Sequence, residues 1–260
     1  MIFYRIKRRY QRTAQWLTGF LRWHITVHML RFRAMPIQNL NYYERKIYSQ
    51  NREDGIINAI FTIIGTTNTY YVEFGAEDGK ECNTRALLTQ GWKGVLMDGD
   101  HENHTINLQK EFITSKKIEA LFHKNAVPKE PDLLSIDIDG NDYWVWNEIK
   151  HYHPRVVIVE YNACLPYEPA VTIPYKEDFV WDKTDYYGAS LSALVKLGKA
   201  KGYTLVATDS RGVNAFFIRN DIAASHFIMH PPEKLYRSAQ TPGSFGGHPK
   251  DTKKRTWVAV

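Results

Sequence analysis

Acidic residues in this sequence gather around two glycine-containing turns, each of which follows a short apolar run. The first is "YYVEFGAEDGKECNT", Tyr70 to Thr84, where Glu73, Glu77 and Asp78 surround Gly75 and Gly79. A glycine after a strand lets a ligand approach the backbone closely. Three carboxylates would repel a phosphate, and neither the G-x-G-x-x-G fingerprint nor the Gly-Lys-Ser/Thr ending of a P-loop occurs here. The ligand that suits such a loop is a nucleoside without phosphate that carries positive charge. S-adenosylmethionine (SAM) has a sulfonium, an ammonium and two free ribose hydroxyls. Glu73 would face the ammonium or its water shell, with Gly75, Ala76 and Gly79 forming the backbone cradle. Asp98 ends the next apolar run, "GVLMD", where a ribose-diol acceptor belongs in such folds, and its two oxygens suit two hydroxyls.

The second cluster is "SIDIDGND". On a strand, Asp137 and Asp139 lie two apart and share a face. The following apolar run ends in "VEYN", which puts Glu160 and Asn162 in the same relation. Asp137 joins the cofactor-binding set. Asp139, Glu160 and Asn162 make an oxygen-rich set suited to a hard cation such as Mg²⁺. Without a metal, the same groups would cap helices, bind water or steer the SAM amine. Methyl transfer to an alcohol needs in-line approach to the sulfonium and removal of one proton. Asp139 is the first candidate for that proton, and His101, just past Asp98, is the second. His104 and His153 are weaker alternatives. Two other readings stand beside this one. Asp137-x-Asp139 is also the pattern of a metal-dependent glycosyltransferase, although that reading leaves the acidic loop unexplained, and a SAM-type fold can serve as a non-catalytic partner module.

These residues need a scaffold that brings strand ends together. From Tyr71 onward strand-like and helix-like segments alternate, the pattern of a parallel sheet with crossover helices. "REDGIINAIFTIIG" carries a helical apolar stripe, "CNTRALLTQGW" a helix closing near Gly91, and "EFIT" a weak third strand, with Ser115 as the N-cap of "KKIEALFHK". "DLLSIDID" and "RVVIVEY" are strands flanking the helix "NDYWVWNEIKHY". Residues 162–188 form a long irregular stretch, which in a compact domain marks a functional loop. Its Trp181, Tyr186 and Tyr187 suit an aromatic lid. After the helix "SLSALVKLGKAKG", "YTLVAT" and "VNAFFIR" are spaced to pair antiparallel at the sheet edge. The tail "PGSFGGHPKDTKKRTW" reads as loop.

Taken together, "SQNREDGIINAIF", "VEFGAEDG", "GWKGVLMDGD", "LLSIDIDGNDYWVW", "VVIVEYN" and "TDYYGASL" resemble the FkbM-type SAM-dependent methyltransferases. The resemblance runs from about Ser49 to Ile218. It implies a Rossmann-like class I methyltransferase fold with a mostly parallel seven-stranded sheet and helices on both faces. It also implies O-methylation, often of sugar or natural-product hydroxyls. The glycine loop departs from the family's pattern, with Glu73 in place of an Asp and Glu77-Asp78 in place of a neutral pair.

The chain of 260 residues carries a formal charge of +6, with 43% hydrophobic and 24% charged residues, ordinary values for a globular protein. The charge is uneven. Residues 1–43 hold Arg5, Lys7, Arg8, Arg9, Arg12, Arg22, Arg31 and Arg33 and no acid, which leaves 26 basic against 28 acidic residues elsewhere, net −2. Such a body gives no reason to expect nucleic-acid binding. Residues 1–43 therefore stand as a basic, aromatic-rich segment before a domain spanning 44–260. No apolar run reaches the roughly 18–20 residues that span a bilayer. Trp16, Phe20 and Trp23 among arginines suit an amphipathic helix, which makes residues 1–35 a peripheral membrane contact on a cytoplasmic protein. A helix packed on the domain or, in a eukaryote, an organelle transit peptide would fit the same composition. The two cysteines, Cys82 and Cys164, read as free thiols in a reducing compartment rather than a zinc site.

Overall fold

The computed structural model describes residues 39–241, 244–245 and 247–260. The strands are β1 (Tyr70–Phe74), β2 (Lys93–Asp98), β3 (Leu108–Lys110), β4 (Leu133–Ile136), β5 (Val156–Glu160), β6 (Val171–Thr172), β7 (Tyr203–Thr208), β8 (Asn214–Arg219), β9 (Gln240–Thr241), β10 (Ser244–Phe245) and β11 (Val258–Ala259). The α-helices are α1 (Glu53–Ile64), α2 (Arg85–Thr89), α3 (Ile118–Lys124), α4 (Asp142–Glu148), α5 (Leu191–Ala200), α6 (Asn220–His226) and α7 (Pro232–Leu235).

Seven strands form one sheet in the order β3-β2-β1-β4-β5-β8-β7. The first five run parallel, and β8 runs antiparallel between β5 and β7. The central strands are apolar on both faces because helices cover both. Val72, Phe74, Leu134, Ile136, Val157 and Val159 pack with α3, α4 and α5 on one side. Tyr71, Leu133, Val156 and Ile158 pack with α1, α2 and α6 on the other. This is a Rossmann-like class I methyltransferase fold. The expected antiparallel pair is present as β7 and β8, with β7 alone at the edge.

Several expected boundaries move. The third strand is Leu108–Lys110, and "EFIT" lies outside it. An αL residue at Asn107 and the register Leu96↔Leu108 start pairing early, and the amide of Glu111 then closes on the Asp98 carbonyl. Ser115 caps nothing, since α3 starts three residues later and the amides of Lys117 and Ile118 donate to the Thr114 carbonyl. The helix after β4 stops at Glu148.

The bottom of the sheet is closed by one buried acid. Asp132 accepts the amides of Thr67, Asn68 and Thr69 and a 2.6 Å contact from Arg155 Nη1. At the N-terminal side, Leu40 is buried and Asn41 Nδ2 donates to the Thr208 carbonyl at 2.8 Å. The expected membrane contact of residues 1–35 lies outside the described residues. Among the described residues, no helix is long and apolar enough to cross a membrane.

Candidate functional site

A cavity of about 820 Å³ opens over the carboxyl ends of β1, β2, β4 and β5 and the start of β8. Open α/β sheets place their ligands at this edge. Ten lining residues are Asp or Glu and two, Lys46 and Arg211, are Lys or Arg. Lys46 is committed to Glu81 at 2.8 Å.

The glycine loop is braced from inside. Glu73 is 2% exposed. Its carboxylate accepts the amides of Asn83 (2.8 Å) and Thr84 (2.9 Å) and the Thr84 hydroxyl (2.6 Å). Burial pushes its carboxyl up, and those hydrogen bonds oppose the shift. Glu73 thus ties the loop to the start of α2, and the bonds that hold it there leave little of it for a ligand. Gly75 sits at φ 67° with its amide on the Met97 carbonyl at 3.0 Å. A Cβ there would lie 1.5 Å from the Asp137 carbonyl oxygen, so only glycine lets the loop cross the end of β4. The amide of Gly79 donates to the carbonyl of the buried Ala76, which completes the turn.

Asp98 ends β2 at the cavity wall. Oδ1 accepts the amides of Asp100 (2.8 Å) and His101 (3.0 Å), and Oδ2 accepts the amide of Glu77 (3.0 Å). Burial pushes its carboxyl up, but these donors outweigh it and hold the group below its usual range. Oδ2, with one protein donor, keeps capacity for a ligand hydroxyl. His101 is not where the sequence reading needs it. It lies outside the cavity lining, with Nδ1 2.8 Å from Asp98 Oδ1. That hydrogen bond raises its pKa, so the ring keeps its proton to higher pH and less of it is free to accept one.

The carboxylates of Asp137, Asp139 and Glu160 converge, with one oxygen of each within 4.8 Å of the others. They do so by a different route from strand alternation. β4 stops at Ile136, and Asp139 takes a left-handed φ of 57°. Asp142, the first residue of α4, holds the turn by accepting the amides of Ile138 (2.8 Å) and Gly140 (2.9 Å). Asn162 does not join the cluster. It is fully buried, with Nδ2 on the carbonyls of Asp185 (2.9 Å) and Tyr187 (2.8 Å) and Oδ1 on the Cys164 amide (2.9 Å). The expected metal set therefore exchanges Asn162 for Asp137, because the loop after β5 needs the Asn162 amide to anchor the stretch 185–187.

Among the described residues, none donates a hydrogen bond to the Asp137, Asp139 or Glu160 side chains, and Glu160 Oε2 is buried without a partner. Burial, and then mutual repulsion, push the carboxyls of Asp137 and Glu160 well above the usual range. Asp139 is also raised, by burial and then by Glu77. Two further oxygens on cavity-lining residues, Asn141 Oδ1 and Asn214 Oδ1, have no partner. The Asn214 amide is oriented by its Nδ2 donating to Glu53 Oε1 at 2.9 Å. Buried acceptors without donors are costly unless a ligand or water supplies the donor.

No family model matches the chain, and no curated protein matches it. Solved structures do. A 1,6-didemethyltoxoflavin-N1-methyltransferase from Burkholderia thailandensis, bound to 1,6-didemethyltoxoflavin and S-adenosylhomocysteine, is 11% identical, with 65% of this chain and 77% of that chain covered and a TM-score of 0.40. A SAM-dependent methyltransferase from Aquifex aeolicus is 12% identical, with 62% and 88% covered and a TM-score of 0.32. A glycopeptide N-methyltransferase complexed with SAM is 11% identical, with 74% and 96% covered and a TM-score of 0.32. Likeness this distant says nothing of chemistry. The fold stands on its own strand order.

The sequence reading missed Glu53, Asn214 and His248 as cavity residues. Glu53 lies in the "SQNREDG" stretch, so its place was within reach. His248 sits in a tail read only as loop, 109 positions past Asp139, and no local pattern could have joined the two. The expected lid is a pinned wall. Trp181 and Tyr187 line the cavity, whereas Tyr186 turns away to donate to the Thr256 carbonyl at 2.7 Å.

Proposed function

We propose that this chain transfers a methyl group from SAM to a hydroxyl of a sugar, glycan or natural-product acceptor. The observation that carries the reading is a cavity with orphaned acceptors at Glu160, Asn141 and Asn214 and too few donors of its own. SAM supplies an ammonium, a sulfonium, an exocyclic amine and two ribose hydroxyls. Asp98 Oδ2 is the acceptor for a ribose hydroxyl, and Asp137 faces the cationic methionine end. Glu73, Gly75, Ala76 and Gly79 shape the loop under it. Asp139 stands at the acceptor's side of the transferred methyl.

A second cation is consistent with the same carboxylates. Asp137, Asp139 and Glu160 present only hard oxygens, one of them orphaned, a donor set that fits Mg²⁺. Bound there, the ion would lower the pKa of the acceptor hydroxyl. The glycosyltransferase reading is weaker. A nucleotide pyrophosphate would meet ten acidic residues and, among the described residues, one lining cation without an ion pair, Arg211.

Calorimetric titration of the full chain with SAM, with UDP-glucose and with Mg²⁺ separates these readings. SAM binding followed by tritium transfer from methyl-labelled SAM into an extract of cells lacking the protein supports the methyltransferase. UDP-glucose binding without SAM binding would turn the assignment to glycosyl transfer. Binding of neither would leave a non-catalytic module.

A further inference from the structure

The transfer reaction must dispose of one proton, and the expected histidine, His101, lies outside the cavity. Another histidine lines it. After β10 the chain returns across the long loop, where Pro249 accepts the Asp185 amide at 2.8 Å and the Asp251 amide donates to Asp185 Oδ1 at 2.7 Å. This anchoring carries His248 to the cavity wall, with its own amide 3.5 Å from Cys164 Sγ. Its ring meets the edge of Trp181 at 4.6 Å between centroids and of Tyr187 at 5.6 Å. Two aromatic neighbours fix the ring without using its nitrogens. Among the described residues, neither ring nitrogen of His248 has a hydrogen-bond partner.

The contrast with His101 is chemical as well as positional. His101 is exposed, and its hydrogen bond to Asp98 keeps it protonated to higher pH. His248 is partly buried, and burial pulls its pKa down against the opposing pull of Asp139 and Asp185. A neutral imidazole on the cavity wall, with both ring nitrogens unengaged, is ready to receive a proton. Tyr187, which packs against the ring, has its phenol raised by burial and by Glu160, so it stays protonated and cannot serve as the base, and the Cys164 thiol beside the His248 amide is likewise raised by burial.

We propose that His248 is the proton acceptor of the methyl transfer; this rests on the methyltransferase reading. In the step, a lone pair on the acceptor oxygen attacks the methyl carbon in line with the C–S bond. The C–S pair goes to sulfur and gives neutral S-adenosylhomocysteine. The O–H pair stays on oxygen, and the proton passes to a ring nitrogen of His248. One cation enters as SAM, and one leaves as the imidazolium.

The test uses full-length protein, methyl-tritiated SAM and a small-molecule extract of cells lacking the protein. His248→Ala should lower label transfer by about 10²- to 10⁴-fold, with SAM affinity measured by calorimetry unchanged. Added imidazole should restore a large part of the lost rate, a response that a packing defect would not give. His248→Gln, which keeps most of the ring's volume, should be as inactive as the alanine variant. Full transfer by either variant overturns the proposal, as does a loss that imidazole leaves untouched. Failure of the wild-type chain to transfer any label falls instead on the methyltransferase reading, and the role of His248 falls with it.

Discussion

Asp132 and Asp137 are the same residue type at opposite ends of β4, and their surroundings give them opposite chemistry. Asp132 has Arg155 and three amides, and despite its burial those donors hold its carboxyl below the usual range. Asp137 has no donor among the described residues, and burial pushes its carboxyl well up. The first is a finished structural contact, while the second, in the proposed reading, is where the cationic end of SAM binds. A pH dependence follows. Asp137 and Glu160 hold protons at pH values where ordinary carboxyls have lost them, and a cationic ligand prefers them ionised. Binding of SAM should release protons, and its affinity should climb as pH rises above the usual carboxyl range. Calorimetry in buffers of different ionisation enthalpy reads the release directly, and a flat affinity with no proton release would contradict the assignment. Stability of the empty domain should run the other way. Asp142, at about 6, and Asp209, at about 7, also bind protons more tightly folded than unfolded. Their contribution is present at low pH and lost as pH rises through those values. The melting temperature should therefore fall between about pH 4 and about pH 7, and SAM should offset part of the fall. Asp98 differs, because its carboxylate is already ionised and satisfied on Oδ1. Asp98→Asn keeps the side chain's shape and removes charge from the ribose contact. The loss should be about 1.5–3 kcal/mol, or roughly 10- to 150-fold in SAM affinity. An unchanged dissociation constant would remove Asp98 from the cofactor site.

At the scale of elements, the parallel core was legible because buried strands and amphipathic helices leave periodic apolar patterns. β1, β2, β4, β5, β7 and β8 all lie where such patterns fall. β3 was misplaced because a three-residue edge strand, "LQK", has no apolar signature. The site was legible only at strand tips. Glu160 lines the cavity, as its place at a strand tip implies, but Asn162 does not, because its bonds go to a loop more than twenty residues away. His248 was invisible for the same reason: long-range closure leaves no local period. That closure depends on Arg255. Its guanidinium contacts Asp182, Thr184 and Asp251 and lies 4.1 Å over the Tyr186 ring. β11 adds two residues of pairing with β6. Arg255→Ala should loosen the wall without unfolding the sheet. Hydrogen exchange at the amides of Asp185 and Asp251 should quicken by about an order of magnitude, while β4 and β5 stay protected. Unaltered exchange at those two amides would mean that the aromatic contacts alone hold the wall.

At the scale of the whole molecule, charge separates into two regions with opposite tasks. The cavity is lined by ten acids, which a cationic cofactor such as the proposed SAM would meet. The eight basic residues of positions 1–43 are set apart from it in sequence and are joined to the domain at Leu40 and Asn41, which are packed against it. Asn41 also donates to Glu44, whose carboxylate holds the amide of Ser210 at 2.7 Å, so the entry point abuts the turn that carries Arg211 to the cavity. We propose that residues 1–35 hold the enzyme at an anionic membrane surface. Each basic residue near such a surface adds about 1 kcal/mol, and that part decays within a Debye length as salt rises. Trp16, Phe20 and Trp23 would add an apolar part that salt does not screen. The full chain should therefore pellet with vesicles containing phosphatidylserine, more weakly at high salt and with neutral vesicles, while a chain starting at Asn39 should stay in the supernatant and bind SAM equally well. Equal pelleting of the two chains would assign membrane contact to the domain itself or exclude it altogether.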